Sequence, residues 1–140
     1  MGRLVLLRHD TPDGLHHFDL LLERRSGDDR LLTLRLSSRL LLHRAGRARA
    51  DRLDDHRSAY LTFEGPVSGN RGYVRRDWAT DAEVIQESVD HLRVLVQGGA
   101  HVVLERLDSG WNVEVQPVDS QQPTMIPGQQ TQTDTGGARE

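Results

Sequence analysis

The sequence contains no cysteine and no lysine among its 140 residues. Without cysteine the chain cannot form disulfides, thiolate nucleophiles, iron–sulfur clusters or cysteine-ligated zinc sites. Without lysine it has no lysyl nucleophile, Schiff base or P-loop lysine, and all 18 basic side chains are arginines. Any metal site must therefore use histidine and carboxylate ligands, and phosphate would be bound by arginine, which suits bidentate contacts.

Long apolar runs, internal repeats, heptads and glycine-rich nucleotide motifs are also missing. No run reaches the length of about eighteen apolar residues that marks a membrane span, and the opening MGRLVLLRHD becomes charged too early for a signal peptide. We therefore expect a cytoplasmic protein with no membrane partner. The length fits one domain with one core, and the net charge of −3 does not favour general nucleic-acid affinity.

Short apolar or alternating runs, separated by turn signals such as SGDD, GG and DSG, make up most of the chain. This spacing predicts an antiparallel, mainly β protein, with a closed or nearly closed β-barrel and little helix. Residues 81–96 fit either a helix with an acidic first turn or two strands. Residues 35–57 carry seven arginines and three aspartates, which we interpret as a solvated basic loop. We predict a barrel domain over residues 1–117 and a disordered tail over 118–140, which is rich in Gln, Thr, Gly and Pro.

The stretch RHDTPDGLHHFDLLLE, residues 8–23, concentrates titratable side chains beside a run of leucines. In a strand, His17 and Asp19 would project from one face while the alternate apolar residues face the core. His9 would return to the same neighbourhood if its segment pairs antiparallel with this strand. Such ligands suit Mn, Zn or Fe, and three of them with open positions indicate a catalytic site. His16 has the opposite parity and is interpreted as a bystander. On spacing alone, an exposed polar face without a metal is the alternative.

A second cluster reads DRLDDHRSAYLTFEG, residues 51–65. If it is extended, Arg52 and His56 share a face, and Tyr60 follows at even spacing. A histidine, an arginine and a tyrosine so placed could hold and polarise a phosphate. The alternative is a polar strand entry in which the tyrosine is half buried with its hydroxyl hydrogen-bonded.

Together the two clusters resemble the 3′-phosphoesterase domain found at the N-terminus of bacterial DNA ligase D and as free-standing proteins. The family motif H-D-x(4)-H-x-D-x-R-L-E is matched by His9, Asp10, His17, Asp19 and Glu23. The motif D-H-x(3)-Y-x-x-[FY]-E-G is matched by Asp55, His56, Tyr60, Phe63, Glu64 and Gly65. The resemblance covers roughly residues 3–116. It departs from the family in three places: Leu21 replaces the motif's arginine, the spacing between the first two histidines is two residues longer, and a segment with Trp and Pro is absent.

The resemblance implies a manganese-dependent phosphoesterase that removes 3′-phosphate or terminal ribonucleotide blocks and leaves a 3′-hydroxyl for DNA repair. By position, it implies that His9, His17 and Asp19 are metal ligands and that His56 and Tyr60 are catalytic. Arg52 is the candidate to bind phosphate in place of the missing arginine. The implied partners are DNA 3′ ends and a ligase or polymerase, and we expect a monomer. A catalytically weakened module that binds a DNA end or a repair partner is the alternative, and a scaffold with incidental histidines is the third.

Overall fold

The computed structural model describes residues 1–118, so nearly all of the predicted tail lies outside the described residues. This part of the chain contains nine strands and one 3-10 helix, Ser58–Leu61. The strands are β1 (Gly2–Asp10), β2 (His16–Leu22), β3 (Arg30–Leu36), β4 (Gly46–Arg57), β5 (Gly65–Pro66), β6 (Tyr73–Glu87), β7 (His91–Val96), β8 (His101–Arg106) and β9 (Trp111–Gln116). Within residues 1–118, no helix has the length and apolar character needed to cross a membrane.

Eight of these strands close into an antiparallel barrel in the order β1-β2-β3-β4-β9-β8-β7-β6, and β6 pairs back with β1. The 15-residue β6 closes the barrel because its first half pairs with β1 and its second half pairs with β7. The short β5 pairs with the start of β6 and lies outside the ring. The predicted closed antiparallel barrel with little helix is therefore confirmed.

The barrel interior is filled by alternate residues from all eight strands. Every second side chain of a strand points to the same face, and apolar burial on that face selects one register. Each fully buried Leu or Val contributes roughly 1.5–3 kcal/mol relative to exposure. The fully buried members of this cluster include Leu4, Leu6, Leu34, Val94, Val102, Leu104 and Val113.

Two predictions about secondary structure are corrected by the fold. The run interpreted as a basic loop ends in strand β4, where Ala48 and Ala50 point into the core and Arg47 and Arg49 point outward. These two alanines are the only buried residues of β4 and most of its other residues are charged, which is why the strand reads as a solvated segment. The helical alternative for residues 81–96 is wrong, because this segment forms the end of β6, a turn and β7.

A bulge between β3 and β4 decides which β4 side chains face which side of the sheet. Leu31 pairs with His56 and Thr33 pairs with Leu53, so β4 contains one more residue than β3 over this interval. The buried Thr33 hydroxyl donates to the Leu31 carbonyl at 3.0 Å and accepts from the His56 backbone N–H at 3.2 Å. An extra residue reverses the parity of everything beyond it. His56 therefore faces the outside of the barrel, on the same side as Leu31. The expectation of a single core is also corrected on this outer side, where Leu31 belongs to a second apolar cluster.

The outer face of β1, β2 and β3 carries a second, smaller apolar cluster. It consists of Val5, Leu7, Leu21 and Leu31, with Tyr60, Leu61 and Ala79 packed against it. The 3-10 helix lies over these strands and keeps water from their outer face. His9, His17 and Asp19 lie at the edge of this cluster, because they occupy the same face of β1 and β2 as its apolar members.

We expect Thr33→Val to destabilise the bulge, because the valine leaves the His56 backbone N–H without its acceptor while keeping the side-chain shape. The loss should be about 1–3 kcal/mol of unfolding free energy, measured by urea denaturation. Thr62→Val is the matched control, since Thr62 is exposed, and it should change stability by less than about 0.5 kcal/mol. Equal stability of the two variants would show that the Thr33 hydroxyl does not support the bulge.

Candidate functional site

The hairpin of β1 and β2 brings the three predicted metal ligands together. His9 and His17 are direct antiparallel partners, and Asp19 follows two residues along β2 on the same face. One ligand atom from each of His9, His17 and Asp19 lies within 4.8 Å of the others. The two imidazole rings are 4.9 Å apart and perpendicular. The expectation that His9 returns to the neighbourhood of His17 is confirmed, despite the longer loop between them.

The hydrogen bonds of His9 prepare one of its ring nitrogens to bind a cation. Its Nε2 lies 2.7 Å from the Arg71 carbonyl oxygen, and because a carbonyl only accepts, Nε2 carries the proton. Nδ1 therefore presents a lone pair, and His17 Nε2 lies 3.1 Å from it. Metal-binding histidines commonly donate their other ring N–H to a backbone carbonyl in this way. Gly72 brings that carbonyl close: its φ is +101°, and a Cβ there would overlap the Asp10 carbonyl oxygen.

His17 is held towards its neutral form. Burial lowers the pKa of His17 below its ordinary value of 6.5, and the positive charge of Arg35 lowers it further. The carboxylate of Asp19 acts in the opposite direction without cancelling this effect. A neutral imidazole is the form that binds a metal ion.

Arg35 is a residue of the site that the sequence interpretation missed. It lies on β3 directly opposite Asp19, and its Nε and Nη2 donate to the two carboxylate oxygens at 2.9 and 3.2 Å. Asp19 is almost fully buried, so this bidentate pair compensates a charge that burial would otherwise disfavour. The sequence does contain a signal for Arg35: it is the single charged residue in the leucine-rich run LLTLRL. It lies between Leu34 and Leu36, so in a strand its side chain would project from the face opposite to theirs.

The second motif meets the first in one pocket of about 440 Å³. His9, Asp19, His56 and Tyr60 all line it, so two of the three predicted metal ligands share one space with the predicted catalytic pair. Four arginines surround two aspartates there, which leaves an excess of two positive charges. The charged residues that line the pocket are Arg30, Arg35, Arg57, Arg71, Asp19 and Asp55. The pocket therefore combines potential metal ligands with a surface that attracts an anion.

His56 and Tyr60 come together for a different reason from the one that the sequence suggested. In an extended strand, residues four apart would be about 13 Å apart. The chain instead leaves β4 at Arg57 and turns into the 3-10 helix, so the two rings lie 5.3 Å apart. His56 Nδ1 lies 3.2 Å from the Asp54 carbonyl, which leaves Nε2 available to a ligand.

Arg52 is not part of this pocket, and the expectation that it shares a face with His56 is wrong. The bulge separates them: Arg52 pairs with Leu34, whereas His56 pairs with Leu31. The Arg52 guanidinium binds the Asp55 carboxylate at 2.8 Å and lines a separate surface depression. The guanidinium beside the metal-ligand cluster is that of Arg35.

The surroundings of Leu21 explain why β2 has a leucine where the family motif has an arginine. Leu21 is fully buried in the outer apolar cluster, between the two strands that flank β2 and beneath the 3-10 helix. An arginine there would have to bury its guanidinium. The guanidinium that contacts Asp19 instead comes from Arg35 on the neighbouring strand β3.

We expect Leu21→Arg, which restores the motif, to destabilise the protein, because it buries a guanidinium among apolar side chains. The loss should be about 3 kcal/mol or more of unfolding free energy. Leu15→Arg is the matched control, since Leu15 is largely exposed, and it should be tolerated. A Leu21→Arg protein as stable as the wild type would contradict the packing described here.

We expect the pKa of His17 to make the protein less stable in weak acid. Above pH 6.5 His17 is neutral in both the folded and the unfolded chain, so it adds no pH dependence. As the pH falls below 6.5, the unfolded chain takes up the proton first, and the unfolding free energy decreases. His17→Gln should remove this part of the decrease between pH 7 and 5, measured by urea denaturation, whereas the same change at the exposed His43 should leave it. An unchanged profile for His17→Gln would contradict the lowered pKa.

Comparison with known proteins does not assign a family. No protein-family model matches the sequence, and a search of curated proteins finds no similar protein. The likeness in the two motifs is therefore a hypothesis about function, and the geometry of the pocket is what supports it.

Proposed function

We propose that this protein is a manganese-dependent phosphoesterase that processes the 3′ ends of DNA, as its resemblance to the 3′-phosphoesterase domain of ligase D implies. The observation that carries the proposal is that His9, His17 and Asp19 form one cluster, and that two of its members, His9 and Asp19, line a pocket together with His56 and Tyr60. The substrate would be a 3′-phosphate or a terminal ribonucleotide, and the product a 3′-hydroxyl.

The donor set fits a divalent transition metal. Two imidazoles and one carboxylate offer a mixed nitrogen and oxygen site, and this composition suits manganese and its neighbours. His9 has its proton on Nε2, His17 favours the neutral form, and each Asp19 oxygen has a second lone pair beyond its bond to Arg35. When bound, such an ion supplies Lewis-acid polarisation of a phosphate oxygen and an activated water.

The remaining residues of the pocket suit a phosphate monoester. Arg35 uses two of its five N–H donors on Asp19, which leaves donors for phosphate oxygens. Hydrolysis of a 3′-phosphate requires water to attack phosphorus, the bond from phosphorus to O3′ to break, and a proton to reach O3′. In this proposal His56 would stabilise the developing charge or donate that proton, and the Tyr60 hydroxyl would bind the phosphate.

Specificity for an end follows from the shape of the pocket. The 3-10 helix bounds one side, and the segment of residues 67–72 bounds another through Val67 and Arg71. We infer that such a pocket would take up a chain terminus in preference to a continuous strand. Because the net charge is −3, affinity for DNA should be local, modest and reduced by salt.

A second candidate function is a module that binds DNA ends without turnover. The observation that favours it is the bidentate pair of Arg35 with Asp19, because both carboxylate oxygens already accept a strong hydrogen bond. Metal binding would have to share this carboxylate with the guanidinium. The loss of the motif's arginine at Leu21 points in the same direction.

The test of the enzymatic function is release of inorganic phosphate from a 3′-phosphate primer–template with added Mn²⁺. We expect turnover by the intact protein and a loss of at least about 100-fold in His17→Ala and in His56→Ala. His43→Ala is the matched control, because His43 is exposed and outside the pocket, and it should retain activity.

Calorimetric titration with Mn²⁺ separates the candidates further. Under the enzymatic proposal, His17→Ala loses Mn²⁺ binding while His56→Ala retains it. An intact protein that binds Mn²⁺ and DNA ends but releases no phosphate would be the binding module. A protein that binds neither would overturn both candidates.

A further inference from the structure

A second cleft, of about 480 Å³, opens at the end of the barrel on the opposite side of β1 from the candidate site. Arg8 and His16 precede the metal-ligand candidates His9 and His17 by one residue each, so their side chains leave the opposite face of the sheet. The residues lining this arginine cleft include Arg8, His16, Phe18, Arg39, Arg75 and Arg76. His16, which has no place in the candidate site, thus belongs to a different surface.

The arginine cleft has more guanidinium groups than carboxylates. Asp10 is shared by Arg8, at 3.1 Å, and by Arg75, at 3.9 Å. Asp77 is fully engaged by Arg39 through bonds of 2.7 and 2.9 Å. With Arg76 the cleft is lined by four arginines and by Asp77, and even when the neighbouring Asp10 is counted, two positive charges are left in excess. These carboxylates hold the arginines in place and leave N–H donors for an external anion.

An exposed aromatic side chain lies beside these charges. Tyr73 is 49% exposed and is directly opposite Asp10 in the β1–β6 pairing. It precedes Arg75 by two residues, so the two side chains occupy the same face of β6. Inside the cleft, the rings of His16 and Phe18 contact edge to face at 5.6 Å. Arginines beside an exposed aromatic ring are typical of surfaces that bind single-stranded nucleic acid.

The aromatic ring favours a nucleic-acid strand over other anions. A free phosphate or an acidic peptide would use the arginines but has no base to stack on Tyr73. A strand offers both a phosphodiester backbone and bases, and base stacking on an aromatic ring tolerates any sequence. The arginine cleft and the metal-ligand cluster also share the same end of β1, so one strand could reach both.

We propose that the arginine cleft binds the phosphodiester backbone of a nucleic-acid strand and that Tyr73 stacks on one of its bases. The further identification of this strand as the one whose 3′ end enters the metal-ligand pocket rests on the proposed function. The cleft then contacts nucleotides upstream of that end. It gives the protein affinity for the strand independently of the group at the terminus.

The experiment measures the affinity of the full chain for a fluorescent single-stranded oligonucleotide that ends in a 3′-hydroxyl and so has no phosphate to release. We expect Arg75→Gln and Tyr73→Ala each to weaken binding by about fivefold or more. The slope of log affinity against log salt should become shallower by about 0.7 in Arg75→Gln, as for one lost phosphate contact on a single strand.

Arg106→Gln is the matched control. Arg106 lies on β8, which pairs with β7 and β9, and its side chain is 59% exposed, against 56% for Arg75. Each of the two arginines has one distant aspartate partner, at 3.6 Å for Arg106 and 3.9 Å for Arg75. Arg106→Gln changes the net charge of the protein by the same amount as Arg75→Gln but does so outside the arginine cleft. Its affinity for the oligonucleotide should therefore stay within about twofold of the wild type.

Three results would overturn the proposal. The first is equal weakening by Arg75→Gln and Arg106→Gln, which would indicate only a response to net charge. The second is the absence of measurable oligonucleotide binding by the intact protein. The third is that inorganic phosphate or a poly-glutamate peptide competes with the oligonucleotide, that Arg75→Gln weakens binding of this competitor as much as binding of the oligonucleotide, and that Tyr73→Ala weakens neither. That result would indicate a small-anion or acidic-peptide site.

The failure of this proposal can be distinguished from failure of the proposed function. Oligonucleotide binding that depends on Arg75 and Tyr73, without phosphate release by the intact protein, would retain the cleft and reject the enzyme. Phosphate release that depends on His17 and His56, with oligonucleotide binding unaffected by Arg75→Gln and Tyr73→Ala, would retain the enzyme and reject the cleft.

Discussion

The register of the β1–β2 hairpin is the constraint on which both surfaces of this protein depend. Seven consecutive residue pairs place His9 opposite His17 and send the side chains that precede them to the other face. A shift of one residue would turn Leu20 and Leu22 out of the barrel core and move every polar side chain of β2 to the wrong side. With roughly 1.5–3 kcal/mol at stake for each buried leucine, apolar packing inside the barrel fixes the geometry of polar groups on its outer face.

Burial on the outer face gives those polar groups their properties. The cluster beneath the 3-10 helix keeps water away from β2, so Asp19 needs the guanidinium of Arg35 as a partner and His17 favours its neutral form. The bulge serves the same face, because it turns His56 towards the pocket through the hydroxyl of Thr33. Apolar cover over this outer face therefore favours the neutral form of His17 and makes a charged partner necessary for Asp19.

The parts of the site that the sequence predicts correctly are those that depend on local pairing. His9, His17 and Asp19 belong to one hairpin, and alternation within two adjacent strands is enough to bring them together. Arg35 was missed because its partner Asp19 lies on another strand, and register between separate strands is not visible in a single sequence. The prediction that Arg52 and His56 share a face was wrong, because a bulge lies between them. That bulge depends on Thr33, some twenty residues earlier in the sequence. The closed barrel was predictable from strand spacing, but strand β4 was not, because most of its residues are charged and it buries only two alanines.

The use of arginine alone has a structural consequence at this end of the barrel. A guanidinium has five donors, so it can bind a carboxylate with two and still present others to a phosphate, whereas an ammonium group has three donors at a single nitrogen. Arg35 with Asp19 and Arg39 with Asp77 are both bidentate, and each lines a pocket on its own side of the sheet. The carboxylates thus hold the cations in position and reduce their net charge without blocking them. In this way a protein with a net charge of −3 can have two locally positive surfaces, separated by one β-sheet, at the same end of β1.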